Sequence, residues 1–423
     1  MKNTVFYGWW VIVASVLGMI VSQGPVLVFT FGIFMNPMAA EFNWNRSQIS
    51  MALTVAILCA AFVTPLVGRL IDRYGAREVA IPALLLFGLG VMSLALLPAN
   101  LVVFYLWFCL VGVLSAGGTP TPYAKIVTSW FVRKRGLALG LSMSGIGLGA
   151  ALMPMLAQQA VTAFGWRGAY VVIGLVIILA SGLIAWKLRN HPADLGLFAD
   201  NDTNNRLRGQ ANEEPGYNAG QALRSRTFWL ISATFFLAAL VVNGCAVHLI
   251  PLLTDRGVPA GEAAQIASAA GIALILGRVG AGWLLDHVFA PYLTVAFLCG
   301  PLIGIALLYQ GAVGSEAMLC AGLIGLGIGA EVDLISYLTA RYFGLRAFGE
   351  IYGYLFGVFC LGTASGPLLM GGGQAMLGTY DPILLAFLVC LLLACVLILC
   401  IGRYPDISGL PRQARTPAGS SAA

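Results

Sequence analysis

The chain has 423 residues, of which 59% are hydrophobic and only 9% charged, with a formal net charge of +6. A soluble domain carries about 25% charged residues, so this composition excludes an ordinary soluble enzyme and suits a polytopic membrane protein. The positive balance is no nucleic-acid signal, because its placement follows membrane topology. The nine cysteines lie mostly inside apolar runs (Cys59, Cys109, Cys390, Cys395, Cys400), with no CxxC pair and no histidine at metal spacing. They read as small buried hydrophobes, and neither disulfide, metal nor cofactor is expected.

Twelve apolar runs of spanning length follow one another. The first six lie near Trp9–Phe34, Ser47–Leu70, Val79–Leu97, Leu101–Ser129, Gly136–Ala163 and Gly168–Trp186. The second six lie near Phe228–Leu253, Ala263–Leu285, Tyr292–Gln310, Ala317–Ala340, Gly349–Leu377 and Pro382–Gly402. The one long polar stretch between the sets reads as a linker with a short surface helix. The expected organisation is a bundle over 1–189, a linker over 190–225, a bundle over 226–404 and a disordered tail over 405–423. All Lys and Arg except Arg46, Arg167, Arg256, Lys125 and Arg278 fall on one side, which places both termini and the linker in the cytoplasm.

The halves repeat each other. Gly68-Arg-Leu-Ile-Asp72-Arg73 at the end of the second run returns as Gly282-Trp-Leu-Leu-Asp286-His287 at the end of the eighth. Trp130-Phe131…Arg135-Gly136…Gly140…Gly149…Pro154 returns as Tyr342-Phe343…Phe348-Gly349…Gly353…Gly362…Pro367. The fold class is therefore an all-α membrane protein of twelve transmembrane helices in two pseudo-symmetric six-helix bundles, the plan of transporters with a midplane site.

Arg278 is the organising residue. It lies two helical turns short of Asp286, about 12 Å inside the membrane edge. A charge at such depth costs on the order of 3 kcal/mol and needs compensation. A guanidinium offers a planar fork matched to a carboxylate, so an anionic ligand is one reading and an ion pair with Asp333 or Glu331 is the other.

Gly68-Arg-Leu-Ile-Asp72-Arg73-Tyr-Gly75-Ala-Arg77 resembles the helix 2–3 loop motif of the major facilitator superfamily. Trp130-Phe-Val-Arg-Lys134-Arg135-Gly-Leu-Ala138-Leu-Gly140-Leu-Ser-Met-Ser-Gly145-Ile-Gly-Leu-Gly149 resembles the helix-five signature of monocarboxylate transporters and of bacterial relatives around the oxalate/formate antiporters. Tyr7-Gly8-Trp9-Trp10 matches part of their first-helix signature and lacks its acidic residue. The resemblance implies the major facilitator fold, a bacterial inner membrane location, a monomer in lipid, and a small organic carboxylate carried with H⁺. It also implies that Arg278, four residues before Gly282 in helix eight, meets the substrate carboxylate. Two family features are missing: Leu274 stands where mammalian members have Asp, and helix one has no Lys. Helix eleven has only Glu350 at its start, so a second base for oxalate is absent there.

Further candidates flank this arginine. Asp333, Tyr337 and Arg341 share a stripe of helix ten while Glu331 points elsewhere; Asp333, Glu331 and His248 are proton-coupling candidates. Thr121, Tyr123 and Lys125 follow a Gly/Pro cluster that must loosen helix four. Tyr123 is a hydroxyl donor facing Arg278, and Lys125 either contacts substrate or snorkels toward the cytoplasm. Tyr337 matches Lys125 in the repeat. His248 with Val28, and Phe356 with Cys360, complete the expected lining, against the reading that they only pack. Asp72, Arg73, Arg77, Arg135 and Asp286 form the expected gate, with Asp72 pairing with a base or capping a helix N-terminus. The expected function is proton-coupled monocarboxylate symport by alternating access. Exchange of organic acids, oxalate/formate-like or aromatic, with Lys125 as a second base, and a carboxylate-sensing receptor, are the alternatives.

Overall fold

A computed structural model describes residues 6–201, 213–405 and 412–414, and its architecture is almost wholly helical. Helix α1, Gly8–Phe42, is interrupted by a π-helical turn at Gly24–Val28, where Pro25 withdraws a backbone donor. Helix α2 is Arg46–Tyr74, opened by a capping box in which Asn45 and Gln48 satisfy each other's backbone N–H. Helix α3 is Ala76–Ser93, and α4 is Leu101–Trp130 with a 3₁₀ turn at Ala116–Gly118 before it restarts at Pro120. The loosening expected of the Gly/Pro cluster is therefore real.

The run Arg135–Lys187 is continuous over 53 residues except at Gly165, whose φ of 70° and ψ of 175° are not helical. A straight helix of that length would reach about 80 Å, against roughly 30 Å of hydrocarbon. Gly165 turns the chain back, giving α5 (135–164) and α6 (166–187), so the eleven long apolar runs among the described residues make twelve crossings. The second half contains α7 Arg226–Asp255, α8 Ala260–Leu285, α9 Ala290–Tyr309, α10 Gly314–Phe343, α11 Phe348–Leu377 and α12 Asp381–Leu399.

Each half packs by the same plan. Helix α1 lies on α5, α2 on α4 and α3 on α6, and α7 on α11, α8 on α10 and α9 on α12 repeat those pairs. The halves meet through α2 against α11 and α5 against α8. Glycine faces glycine at both crossings. A Cβ on Gly68 would run into the Gly349 carbonyl oxygen, and one on Gly282 would stand 2.7 Å from the Gly136 oxygen. Only glycine permits backbones that close, as in other small-residue membrane crossings. The second glycine pair of each helix turns inward to its own bundle, Gly149 against Ile20 of α1 and Gly366 against Leu240 of α7. These inter-bundle contacts lie toward the face that carries the linker, and the molecule is closed there.

The linker touches both halves at equivalent turns. Asp200 accepts N–H groups from Val132 (3.0 Å) and Arg133 (2.7 Å), and Tyr217 N–H donates to the Phe343 oxygen at 2.8 Å. Its surface helix is Ala219–Arg224. In the tail expected to lack structure, the backbone of Arg412–Ala414 pairs antiparallel with Glu213–Pro215 of the linker; the rest of the tail after Pro405 lies outside the described residues.

Candidate functional site

Helices α8 and α10 approach closely because both offer small residues. Gly325 meets the Ala270 carbonyl and Gly329 the Leu274 carbonyl, and a Cβ on Gly329 would be 2.9 Å from the Arg278 nitrogen. From the other half, Gly140 of α5 packs against the Arg278 oxygen, which a Cβ at that glycine would meet at 2.7 Å. Arg278 is thus fixed by backbone contacts on two sides at the junction of the bundles.

Its side chain is buried: Arg278 is 2% exposed, Glu331 is 2% and Asp333 is 0% exposed. Arg278 Nη1 stands 3.8 Å from Asp333 Oδ1, near enough for charge attraction and too far for a hydrogen bond. Among the described residues, Arg278 Nε and Nη1 and all four oxygens of Glu331 and Asp333 have no hydrogen-bond partner. The Tyr123 hydroxyl has none either, while its ring packs over Gly18 of α1. One guanidinium and two carboxyl groups are therefore buried together with most of their hydrogen-bonding capacity unused among the described residues. Buried ionic groups without full pairing are costly, which is why they are rare outside sites that take a ligand, an ion or a proton.

The other candidates distribute themselves differently. Lys125 is drawn to the gate: its Nζ lies 2.6 Å from Asp72 Oδ1, so the base expected to contact substrate or snorkel is an ion-pair partner instead. Thr121 Oγ1 accepts from Thr119 at 3.2 Å within α4. Tyr337 lies in the field of Arg135, Arg341, Asp286 and Tyr404, at the linker end of α10 and apart from Arg278. The His248 ring bonds through Nε2 to the Pro367 oxygen at 3.1 Å, tying α7 to α11, with Nδ1 buried and unpartnered. Val28 is 38% exposed on α1, and the ring that His248 faces is Tyr380 of the second half. Phe356 stacks between Tyr352 and Phe359, and Cys360 is partly buried beside them.

The two carboxylates expected to gate the molecule make equivalent contacts, one from each half. Asp72, on the last turn of α2, accepts N–H groups from Gly349 (2.9 Å) and Glu350 (2.8 Å) at the start of α11. Asp286, the C-cap of α8, accepts from Gly136 (2.6 Å) and Leu137 (3.0 Å) at the start of α5. Each carboxylate caps the positive end of a helix in the opposite half, where unpaired N–H groups and the dipole favour an anion. Burial nevertheless pushes the Asp286 carboxyl above its ordinary range, with the two N–H groups pulling it back. Arg135 holds the Phe131 and Thr128 carbonyls, each at 3.3 Å, close to Asp286. Arg77 ties α3 to α6 through the Ala185 oxygen at 3.0 Å, and Arg73 lies 5.2 Å over the Tyr74 ring. Residues not named from sequence complete the picture: Arg69 bonds Glu350 at 2.6 Å, and Tyr352 lies beside Asp333 and Ser336.

Two bundles closed by paired helix-capping carboxylates over a buried cation carry the marks of one family. The sequence model of the Major Facilitator Superfamily matches residues 16–367. The chain belongs to the major facilitator superfamily. Among its relatives, monocarboxylate transporter 13 of Bos taurus is 29% identical over 71% of this chain and 67% of its own length. Monocarboxylate transporter 11 of Mus musculus is 26% identical over 90% of this chain and 84% of its own. The uncharacterized MFS-type transporter YhjX of Escherichia coli is 23% identical over 82% and 85%. Among solved structures, the proton:xylose symporter XylE superposes with a TM-score of 0.74 at 13% identity over 93% of this chain and 95% of that one. The human organic anion transporter MFSD10 gives 0.70 at 15% over 92% and 99%. As a member of this superfamily the chain is a multi-pass membrane transporter of small molecules, with the fold expected from its sequence.

Proposed function

We propose that this transporter carries small monocarboxylates with a proton, and that Arg278 is the seat of the carboxylate. The observation that carries the reading is a guanidinium 2% exposed, with Nε and Nη1 unbonded, whose acidic neighbour stands 3.8 Å away. A substrate carboxylate entering this space makes the bidentate bonds that Asp333 does not. Asp333 is then the group it displaces. An arriving anion adds negative charge beside two buried carboxyl groups that share one guanidinium. A proton taken by Asp333 or Glu331 as substrate binds offsets that addition, which couples the two fluxes.

Lys125 is already held by Asp72, which favours an acid with one carboxylate over a dicarboxylate. Relatives named as monocarboxylate transporters support the substrate class. The linker face is the cytoplasmic face on the positive-inside rule, and bacterial relatives support a bacterial inner membrane. With the linker face closed, substrate enters from the opposite side. Filling the site then allows the capped ends to part and the halves to rock. The test is proteoliposome uptake of lactate and pyruvate read with an entrapped pH dye, wild type beside Arg278→Leu and empty liposomes. Acidification in wild type that falls to the empty-liposome rate in the variant is expected. Equal acidification in both proteins would remove Arg278 from the substrate path, and exchange of labelled acid without acidification would make the transporter an anion exchanger.

A further inference from the structure

We infer, resting on the reading of Arg278 as carboxylate seat, that the preferred acids carry an aromatic ring, and that Tyr352 and Phe356 of α11 select them. Helix α11 bears a ladder of rings in which Phe348 stacks on Tyr352 (centroids 5.6 Å apart, planes at 6°), Tyr352 on Phe356 (5.8 Å, 16°) and Phe356 on Phe359 (5.6 Å, 25°). The ladder reaches the charged centre at Tyr352, which lies in the field of Asp333, Arg278 and Cys360. Packing alone does not explain a tyrosine at this rung. Its hydroxyl is buried beside Ser336 and, among the described residues, makes no well-formed hydrogen bond, while the Ser336 hydroxyl donates to the Val332 oxygen at 2.9 Å. A phenylalanine would fill the same space without burying an unused polar group. A carboxylate held by Arg278 gives that hydroxyl an acceptor.

The rest of the acid then lies along Phe356 and Cys360. A stack of parallel rings leaves its edges at its flank, and ring edges are electropositive, so they suit the negative face of a second aromatic ring. Among the described residues, the other cation in this part of the membrane, Lys125, is engaged by Asp72, so the far end of the acid meets an apolar wall with no second base. Benzoate and phenylacetate have this chemistry; acetate has the carboxylate and nothing for the ladder to hold.

The test is thermal stabilisation of the purified protein titrated with acetate, lactate, benzoate and phenylacetate at one pH, which avoids leak of neutral acids across vesicles. In wild type the benzoate and phenylacetate midpoints are expected at least tenfold below that of acetate. Phe356→Leu is expected to erase that advantage, raising the benzoate and phenylacetate midpoints to that of acetate. Tyr352→Phe keeps the ring, so it is expected to weaken all four acids several-fold and preserve their order. Stabilisation by acetate and lactate with no gain for the aromatic acids would overturn the inference and leave Arg278 as carboxylate seat. An aromatic advantage unchanged in Phe356→Leu would also overturn it. Stabilisation by none of the acids would remove both readings.

Discussion

The gate at the linker face and the cluster around Arg278 both bury charge within one helical bundle, and they treat it in opposite ways. Both oxygens of Asp72 accept backbone N–H groups, Oδ1 also meets Lys125 at 2.6 Å, and Asp286 likewise has both oxygens bonded. At the centre, among the described residues, neither the Asp333 nor the Glu331 carboxyl has a hydrogen bond, and Arg278 leaves two nitrogens unbonded. Satisfied buried charge holds a conformation, whereas unsatisfied buried charge is costly and, on the proposed reading, awaits a ligand. The gate itself is unequal. Lys125 backs Asp72, whereas the repeat places Tyr337 in the corresponding position of the second half, within the field of Asp286.

That inequality is open to measurement, using the fraction of molecules closed at the linker face, read from spin-label distances across it. Asp72→Ala is expected to have the largest effect, because it strips both caps from α11 and leaves Lys125 buried without its anion, a loss of about 3–5 kcal/mol. Lys125→Met on the same background should restore part of the closed fraction; a failure to do so would mean that Lys125 is not the source of the excess. Gly68→Ala forces a methyl against the Gly349 carbonyl, and overpacking of this kind costs about 1–3 kcal/mol. Asp286→Ala removes two caps, and the nearby Arg135 keeps the Phe131 and Thr128 carbonyls, so about 1–2 kcal/mol is expected. An Asp286 effect as large as that of Asp72 would contradict the asymmetry. Arg69→Ala comes last: the Arg69 side chain is 61% exposed, and a solvent-screened pair with Glu350 should leave the closed fraction almost unmoved.

Much of this plan is legible in the sequence. The twelve crossings follow from apolar length, and the repeat of Gly68–Asp72 in Gly282–Asp286 announces paired gates before any helix is placed. Arg278 declares itself because a charge so deep in an apolar run has few bland explanations. What spacing cannot show is which helices touch. Lys125 looks like a site residue on α4 because its partner, Asp72, lies 53 residues earlier on another helix. Tyr337 shares a stripe with Asp333, yet its place one turn further along α10 carries it to the gate. His248 reads as a cavity histidine until α11 brings the Pro367 oxygen to its ring. Tyr352 is passed over although it stands one turn before Phe356, since an aromatic residue in an apolar helix gives no signal of its own. The stack runs along α11 itself, but the unbonded hydroxyl becomes visible only when α11 is set beside α10.

The most direct test of the central claim is equilibrium binding of a radiolabelled monocarboxylate to purified wild type, Arg278→Leu and Asp333→Asn at one pH. If Arg278 is held for an incoming carboxylate and Asp333 is the group displaced, Arg278→Leu binds none and Asp333→Asn binds more tightly than wild type, because the competitor has lost its charge. Undiminished binding by Arg278→Leu would contradict the account, and so would loss of binding in a folded Asp333→Asn, which would make the pair a structural one.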